Sequence, residues 1–383
     1  MFKCLRLCVL IALYFYTSDI IAQVDSTEFT VPKKAATYKK FLPIPLFSVA
    51  PETSLRLGVI GVYFFRFKNA EEGTQLSSIR APQSYTLKNQ VKFRISNDIF
   101  FNSNNHIVSG FTEWLRFPLF FYGIGSQTQN EDKEIYTSRV FNINYSYFKK
   151  IKQGLYAGLR FDRRDSKIQE VAENGLLEAE AVPGSNGGVS QGFGLTARWD
   201  SRDNFMCTKK GWLTDFQLTF YNDAFNSDFE FTKMALDNRL FFNINDKTVL
   251  GNQTYIEQNW GQPSFESMAL MGGPFLMRGN FEGRFRDNAM WATQWEYRIP
   301  IGRTSWINED KDLKFWHRFG AVGFVGVGNV MTDLIENPFD DMKITGGVGL
   351  RFLAFPEERI NLRIDMGFGT ERPAFYIFVR ESF

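Results

Sequence analysis

From Leu55 onward the chain alternates apolar and polar residues with a period of two. Leu55, Leu57, Val59, Tyr63, Phe65 and Phe67 share one face of a first predicted strand, and Tyr85, Leu87, Val91, Phe93 and Ile95 one face of a second. The pattern returns where Val189, Phe193, Leu195, Ala197 and Trp199 oppose Ser190, Thr196, Arg198 and Asp200. It returns again at Trp212, Phe216, Leu218 and Phe220, and at Ile360, Leu362, Ile364, Met366 and Phe368 against Arg359, Asn361, Arg363 and Asp365. Period two is the strand signal, because successive side chains leave opposite faces of the backbone. In a soluble sandwich the apolar set would face a core; in a membrane barrel it faces lipid, and the polar set lines the lumen.

The connections sharpen the choice. Short turns fall near 102–105, 150–153, 243–246 and 356–358, and longer polar loops near 69–82, 118–133, 168–188, 262–288 and 331–343. Such alternation is expected when one rim of a barrel faces the periplasm and the other the outside, although 201–210 and 302–312 are long for the periplasmic rim. The pattern predicts an all-β fold, a transmembrane antiparallel barrel of about 14 strands. One loop stands out: residues 272–288 read GGPFLMRGNFEGRFRDN, a stretch too rich in Gly and Pro for regular structure, with Arg278 set between Met277 and Gly279. A long loop of this kind between two strands marks a functional segment.

Composition supports export and the barrel. The 383 residues include 41 Phe and 14 Tyr, yet mean hydropathy is below zero, as strands with one greasy and one wet face require. Net charge is +2, which indicates neither a nucleic-acid partner nor an acidic substrate. Lys3 and Arg6, the apolar run 7–16 and Ala22 read as a signal peptide over 1–22. Residues 23–53, with Pro32, Pro43, Pro45 and several Lys, read as a short, largely irregular periplasmic lead-in, and 54–383 as the barrel. Cys4 and Cys8 fall in the signal, leaving Cys207, so no disulfide and no Cys-based metal site is expected. No later apolar run is long enough for a membrane helix, so any crossing is made by strands.

These features together resemble the BamA/TamA family of outer-membrane barrels, the bacterial surface-antigen superfamily. Trp199-Asp200-Ser201-Arg202-Asp203-Asn204 followed by Gly211 is similar to the family's DxRDN…G periplasmic turn. Residues 272–288, with Met277, Arg278, Gly279 and Phe281, are similar to its inward-folding (V/L)RG(F/Y) loop. Glu296-Tyr297-Arg298 opens the last part of the chain, and Phe375, Ile377, Val379 and the final Phe383 share one parity, similar to the C-terminal aromatic assembly signal. The resemblance implies that Arg278 enters the lumen and meets a polar wall, where Glu296, on the face opposite Trp295 and Tyr297, is the expected carboxylate. The sequence departs from the family in three ways. The loop aromatic is displaced by Asn280, glycines at 326 and 328 stand on the next strand where an acidic residue is expected, and 23–51 cannot hold a POTRA repeat. Family barrels have roughly 16 strands.

Enzymatic chemistry finds no footing. His106 and His317 have no Ser in a recognisable motif, no GxSxG is present, and 184–188 lacks the Lys-Ser/Thr of a phosphate cradle. No metal and no cofactor is expected. The resemblance implies an assembly or translocation factor that handles protein or lipid clients through a seam between the first and last strands. Its expected partners are outer-membrane lipid, unfolded barrel or secreted clients and a periplasmic accessory protein. The alternative is a passive channel or surface barrel that keeps the fold and not the machine.

Overall fold

The computed structural model describes residues 38–50, 54–68, 70, 74–86, 90–245, 247–301, 314–356, 359–371 and 373–383. The expected signal segment and the first part of the lead-in lie outside these residues. The strands are β1 (Tyr38–Ala50), β2 (Ser54–Arg66), β3 (Ser77–Thr86), β4 (Val91–Phe101), β5 (His106–Phe121), β6 (Glu134–Lys152), β7 (Leu155–Glu170), β8 (Gly188–Asp200) and β9 (Gly211–Tyr221). They continue as β10 (Phe231–Ile244), β11 (Thr248–Gly261), β12 (Ala269–Met271), β13 (Phe285–Asp287), β14 (Ala289–Pro300), β15 (Phe319–Met331), β16 (Lys343–Phe355), β17 (Ile360–Phe368) and β18 (Ala374–Val379). Sixteen of them form one antiparallel sheet in chain order, with β11 pairing β14. The other two, β12 and β13, make a small hairpin inside the loop that the composition reads as irregular.

Two strands exceed the count that alternation alone resolves, and both have a physical cause. The run 85–95 is the end of β3 and the start of β4, with Tyr85 opposite Val91, so parity carries across two strands as if they were one. The sheet also begins at Tyr38, within the segment expected to be irregular, because Pro43 and Pro45 are tolerated on an edge strand. The β1–β2 ladder runs unbroken from Tyr38↔Arg66 to Ala50↔Ser54 through both prolines. Their missing N–H groups, two residues apart, therefore fall on the edge of β1 that faces away from β2. Pro82 acts differently: the β3–β4 pairing skips it and Ala81.

Burial is inverted relative to a water-soluble fold. Leu57, Phe93, Leu159, Leu195, Trp295, Val348, Ile364 and Phe375 are exposed, while Arg278, Glu296, Arg298, Arg351, Arg363 and Asp365 are fully buried. Charge inside and apolar surface outside is stable only where lipid surrounds the wall, which is the signature of an outer-membrane barrel. Among the described residues no ladder joins β18 to β1. Leu42 and Ile44 of β1 instead pack with Val62, Phe64 and Ile360, bordered by Phe355, Leu362 and Val379.

Candidate functional site

The loop between β11 and β14 folds back into the lumen, and its backbone explains how. Met277 (φ 54) and Gly279 (φ 123) bracket Arg278 in conformations that reverse the chain and aim the guanidinium at the wall. Gly279 is there because a Cβ would lie 2.5 Å from the carbonyl of Phe368 on β17. Its N–H donates to Tyr376 Oη of β18 (3.1 Å), and Tyr376 donates to the Asn280 carbonyl (3.3 Å). Asn280 Oδ1 accepts from the backbone N–H (2.9 Å) and hydroxyl (3.0 Å) of Thr370. Met277 packs with Ala269, Met271, Phe285, Met290, Ala292 and Val330. Phe281 lies edge-on to Phe120 of β5, with ring centroids 5.4 Å apart.

Arg278 holds two strands at once. Nη2 donates to Glu296 Oε2 on β14 (2.6 Å) and Nη1 to Asp365 Oδ2 on β17 (2.7 Å), while the guanidinium lies 3.6 Å from the ring centre of Phe324 on β15. Three further arginines complete the cluster. Arg298 Nε donates to Glu296 (2.8 Å), Arg351 Nη1 to Asp365 Oδ1 (2.5 Å), and Arg363 Nη1 to Asp365 Oδ2 (3.3 Å). Arg351 Nε also donates to Glu381 (2.7 Å), and Ser382 Oγ to Glu296 (3.0 Å). Charge-assisted bonds of this kind are short and directional, so the network fixes geometry as well as charge.

The turn between β8 and β9 is stapled by its own side chains. Asp200 accepts from Arg202 Nε (2.9 Å), Nη2 (2.7 Å) and N–H (3.1 Å). Asp203 Oδ1 accepts from the N–H groups of Lys209 (2.9 Å) and Lys210 (3.2 Å), and Asn204 Oδ1 from those of Met206 and Cys207 (both 2.9 Å). Burial nonetheless pushes the Asp203 carboxyl above its ordinary value, against those two amides. Gly211 (φ 105) closes the turn where a Cβ would lie 2.8 Å from Arg202 Cα. The turn reaches inward: Cys207 packs with Phe241, Val249, Val322, Phe324 and Phe383. Phe324 is the ring beneath Arg278, so the loop, the turn and Phe383 meet in one place.

With that geometry in hand, the comparisons with known proteins are decisive for the family. Residues 68–369 match the Omp85 superfamily domain. The chain belongs to the Omp85 superfamily. No curated protein matches it. Among solved structures, BamA from Haemophilus ducreyi lacking POTRA domains 1–3 aligns with a TM-score of 0.53 at 12% identity, over 91% of this chain and 70% of that one. CdiB from Acinetobacter baumannii aligns with a TM-score of 0.51 at 11% identity, over 88% of this chain and 56% of that one. At these identities the likeness is one of fold.

This Omp85 barrel places some residues where sequence reasoning does not. Phe375 is exposed on the outer wall, but Phe383 is not on its face: the positive φ of Arg380 (83°) turns the chain, and Phe383 is buried in the lumen beside Phe241 and Arg298. Sequence pattern alone does not single out Asp365, Arg351 and Glu381 as partners. Asp365 supplies the second carboxylate that the glycine-rich strand β15 lacks, from β17 instead. The available cue for Arg351 is its isolation among Gly347 and Gly349 on the polar parity of β16. His106 lies stacked between Phe101 and Tyr147, with Nδ1 2.7 Å from the Tyr147 hydroxyl, a packing position.

Proposed function

We propose that this barrel assists insertion or export of a protein client through a seam between β1 and β18, with the Arg278 loop as an internal brace. The observation that carries the reading is the double anchorage of Arg278 to β14 and β17, fully buried, beside a strand pair joined by side chains rather than by a ladder. The two proline-deleted donors on the outer edge of β1 support it, since they weaken any pairing with β18. A client strand would add to the facing edge of β18, which has no proline, by main-chain hydrogen bonds. Partners on this reading are outer-membrane lipid, an unfolded barrel or secreted client, and a separate periplasmic accessory protein. No side chain is assigned a catalytic role.

The test is the folding rate of an unfolded barrel client in proteoliposomes. Acceleration over empty liposomes is expected, lost on Arg278→Ala with the barrel still folded. It is also expected to be lost when cysteines at Leu42 and Val379, which border one apolar cluster, are cross-linked in a Cys207→Ser background. No acceleration with several clients, or full activity of the cross-linked protein, overturns the reading and leaves the passive channel, which conductance would then measure.

A further inference from the structure

Beyond β18 the chain does not continue along the wall. Arg380 (φ 83) turns it inward, and Glu381, Ser382 and Phe383 are buried in the lumen. A non-glycine residue adopts such a backbone conformation at a cost, so the turn at Arg380 is held by the contacts of the last three residues. Those contacts make a built site. Glu381 accepts from Arg351 Nε (2.7 Å) and Asn361 Nδ2 (2.8 Å), Ser382 donates to Glu296 (3.0 Å), and the Phe383 carbonyl accepts from Arg298 Nη2 (3.2 Å). The ring of Phe383 packs in the cluster that holds Phe241, Phe324 and Cys207.

These anchors are shared with the loop. Arg351 bonds both Glu381 and Asp365, and Glu296 accepts from both Ser382 and Arg278. We infer that residues 380–383 form a releasable latch, coupled to the Arg278 loop through Arg351 and Glu296, that holds the end of β18 inside the barrel. Withdrawal of the latch takes Glu381 from Arg351 and Ser382 from Glu296, and withdrawal of the loop takes Arg278 from Glu296 and Asp365. Each leaves the wall residues that hold its neighbour short of a partner, and the coupling is reciprocal. The latch is a property of the barrel itself and stands or falls independently of the client reading.

Cys207 is a native reporter. It is buried under Phe383 and accepts from Asn361 Nδ2 at 3.5 Å. Its thiol reacts only when exposed. The experiment measures modification of Cys207 by a membrane-impermeant maleimide, read from the mass of the peptide that carries it. Wild type is expected to react slowly. Glu381→Gln combined with Ser382→Ala, which keeps Phe383 as cover, is expected to react about tenfold faster or more. The second variant is Arg278→Gln, which touches none of residues 380–383 but does remove the guanidinium over Phe324 of the Cys207 cluster. Its rate is expected to rise about fivefold or more, with amide exchange at 380–383 rising alongside. A faster thiol without faster exchange at 380–383 overturns the coupling. A wild-type rate in folded Arg278→Gln overturns the coupling, and a wild-type rate in the folded double variant overturns the latch. Where the double variant does not fold, amide exchange of the wild type decides: residues 277–282 and 380–383 opening at one common rate supports the latch, and opening at separate rates overturns it.

Discussion

Replacing Arg278 tests the network most directly. The cluster holds four guanidiniums (Arg278, Arg298, Arg351, Arg363) and three side-chain carboxylates (Glu296, Asp365, Glu381), with the Phe383 main-chain oxygen also on Arg298. Arg278→Ala removes two charge-assisted bonds, each worth about 1.5–3 kcal/mol, and breaking a buried pair costs about 3–5 kcal/mol. Yet Glu296 and Asp365 keep Arg298 and Arg351 as partners. The lower end, about 3 kcal/mol, is therefore expected, or roughly a hundredfold rise in loop opening. Glu296→Gln strands three arginines that face that carboxylate; it is expected to cost about 5 kcal/mol, the upper end. Arg278→Lys should fall between wild type and Ala, because one ammonium cannot reach two carboxylates as a planar fork does. Amide exchange across 277–282 in the folded barrel reports the opening constant. An Arg278→Ala loop that opens no faster than wild type, or a Glu296→Gln barrel milder than Arg278→Ala, would refute this charge accounting.

Gly279→Ala places a methyl 2.5 Å from the Phe368 carbonyl at φ 123; the loop is expected to undock, seen as fast exchange at 277–282 with unchanged strand content by circular dichroism. Arg202→Ala strips Asp200 of its two side-chain donors, leaving the backbone N–H, and strips Phe205 of a guanidinium 5.1 Å from its ring centre. A loss of about 1–3 kcal/mol is expected, read as a lower temperature at which the folded, fast-migrating form disappears on SDS gels. Asp203 has its folded-state pKa raised by burial above the ordinary 3.8. Its contribution is therefore fully present below 3.8 and lost as pH rises through the folded value. Asp203→Asn keeps an acceptor for Lys209 and Lys210 and should flatten that stretch of the stability–pH curve; an unchanged slope would show that burial does not act on this carboxyl.

Much of the wall is legible in the sequence because parity along a strand is a local property. Trp295, Tyr297 and Ile299 out and Gln294, Glu296 and Arg298 in follow from adjacent positions on β14. Parity cannot supply distance across the barrel. Asp365 stands on the polar face of its predicted strand, yet its meeting with Arg278 spans 87 positions of sequence and depends on strand number and tilt. Phe383 shows the opposite failure. Its parity matches Phe375, but one positive φ at Arg380, which an arginine does not advertise as a glycine would, moves it from the lipid side to the lumen. β1 is hidden because Pro43 and Pro45 normally argue against a strand, and only a free edge makes them cheap.

The same contacts bear on which side of the seam moves. The loop grips β14 and β17 through Arg278 and β18 through Tyr376, and residues 381–383 tie the end of β18 to β14, β16 and β17. Against β1 the last strands offer apolar packing around Leu42 and Ile44, and Lys40 over Phe355 at 5.9 Å. Apolar contact is non-directional and survives sliding, whereas buried ion pairs hold one geometry. On the proposed reading a narrow opening is therefore made by β1 leaving a fixed β18. A wide one requires the loop and the latch to release together, because both are held on Glu296 and on the Arg351–Asp365 pair. Spin labels on β1 and β18 would separate the cases: in wild type the distance from β1 to β14 should fluctuate while that from β18 to β14 stays fixed, and Arg278→Gln should free both. A wild-type β18 as mobile as β1 would mean that the ion pairs do not hold it.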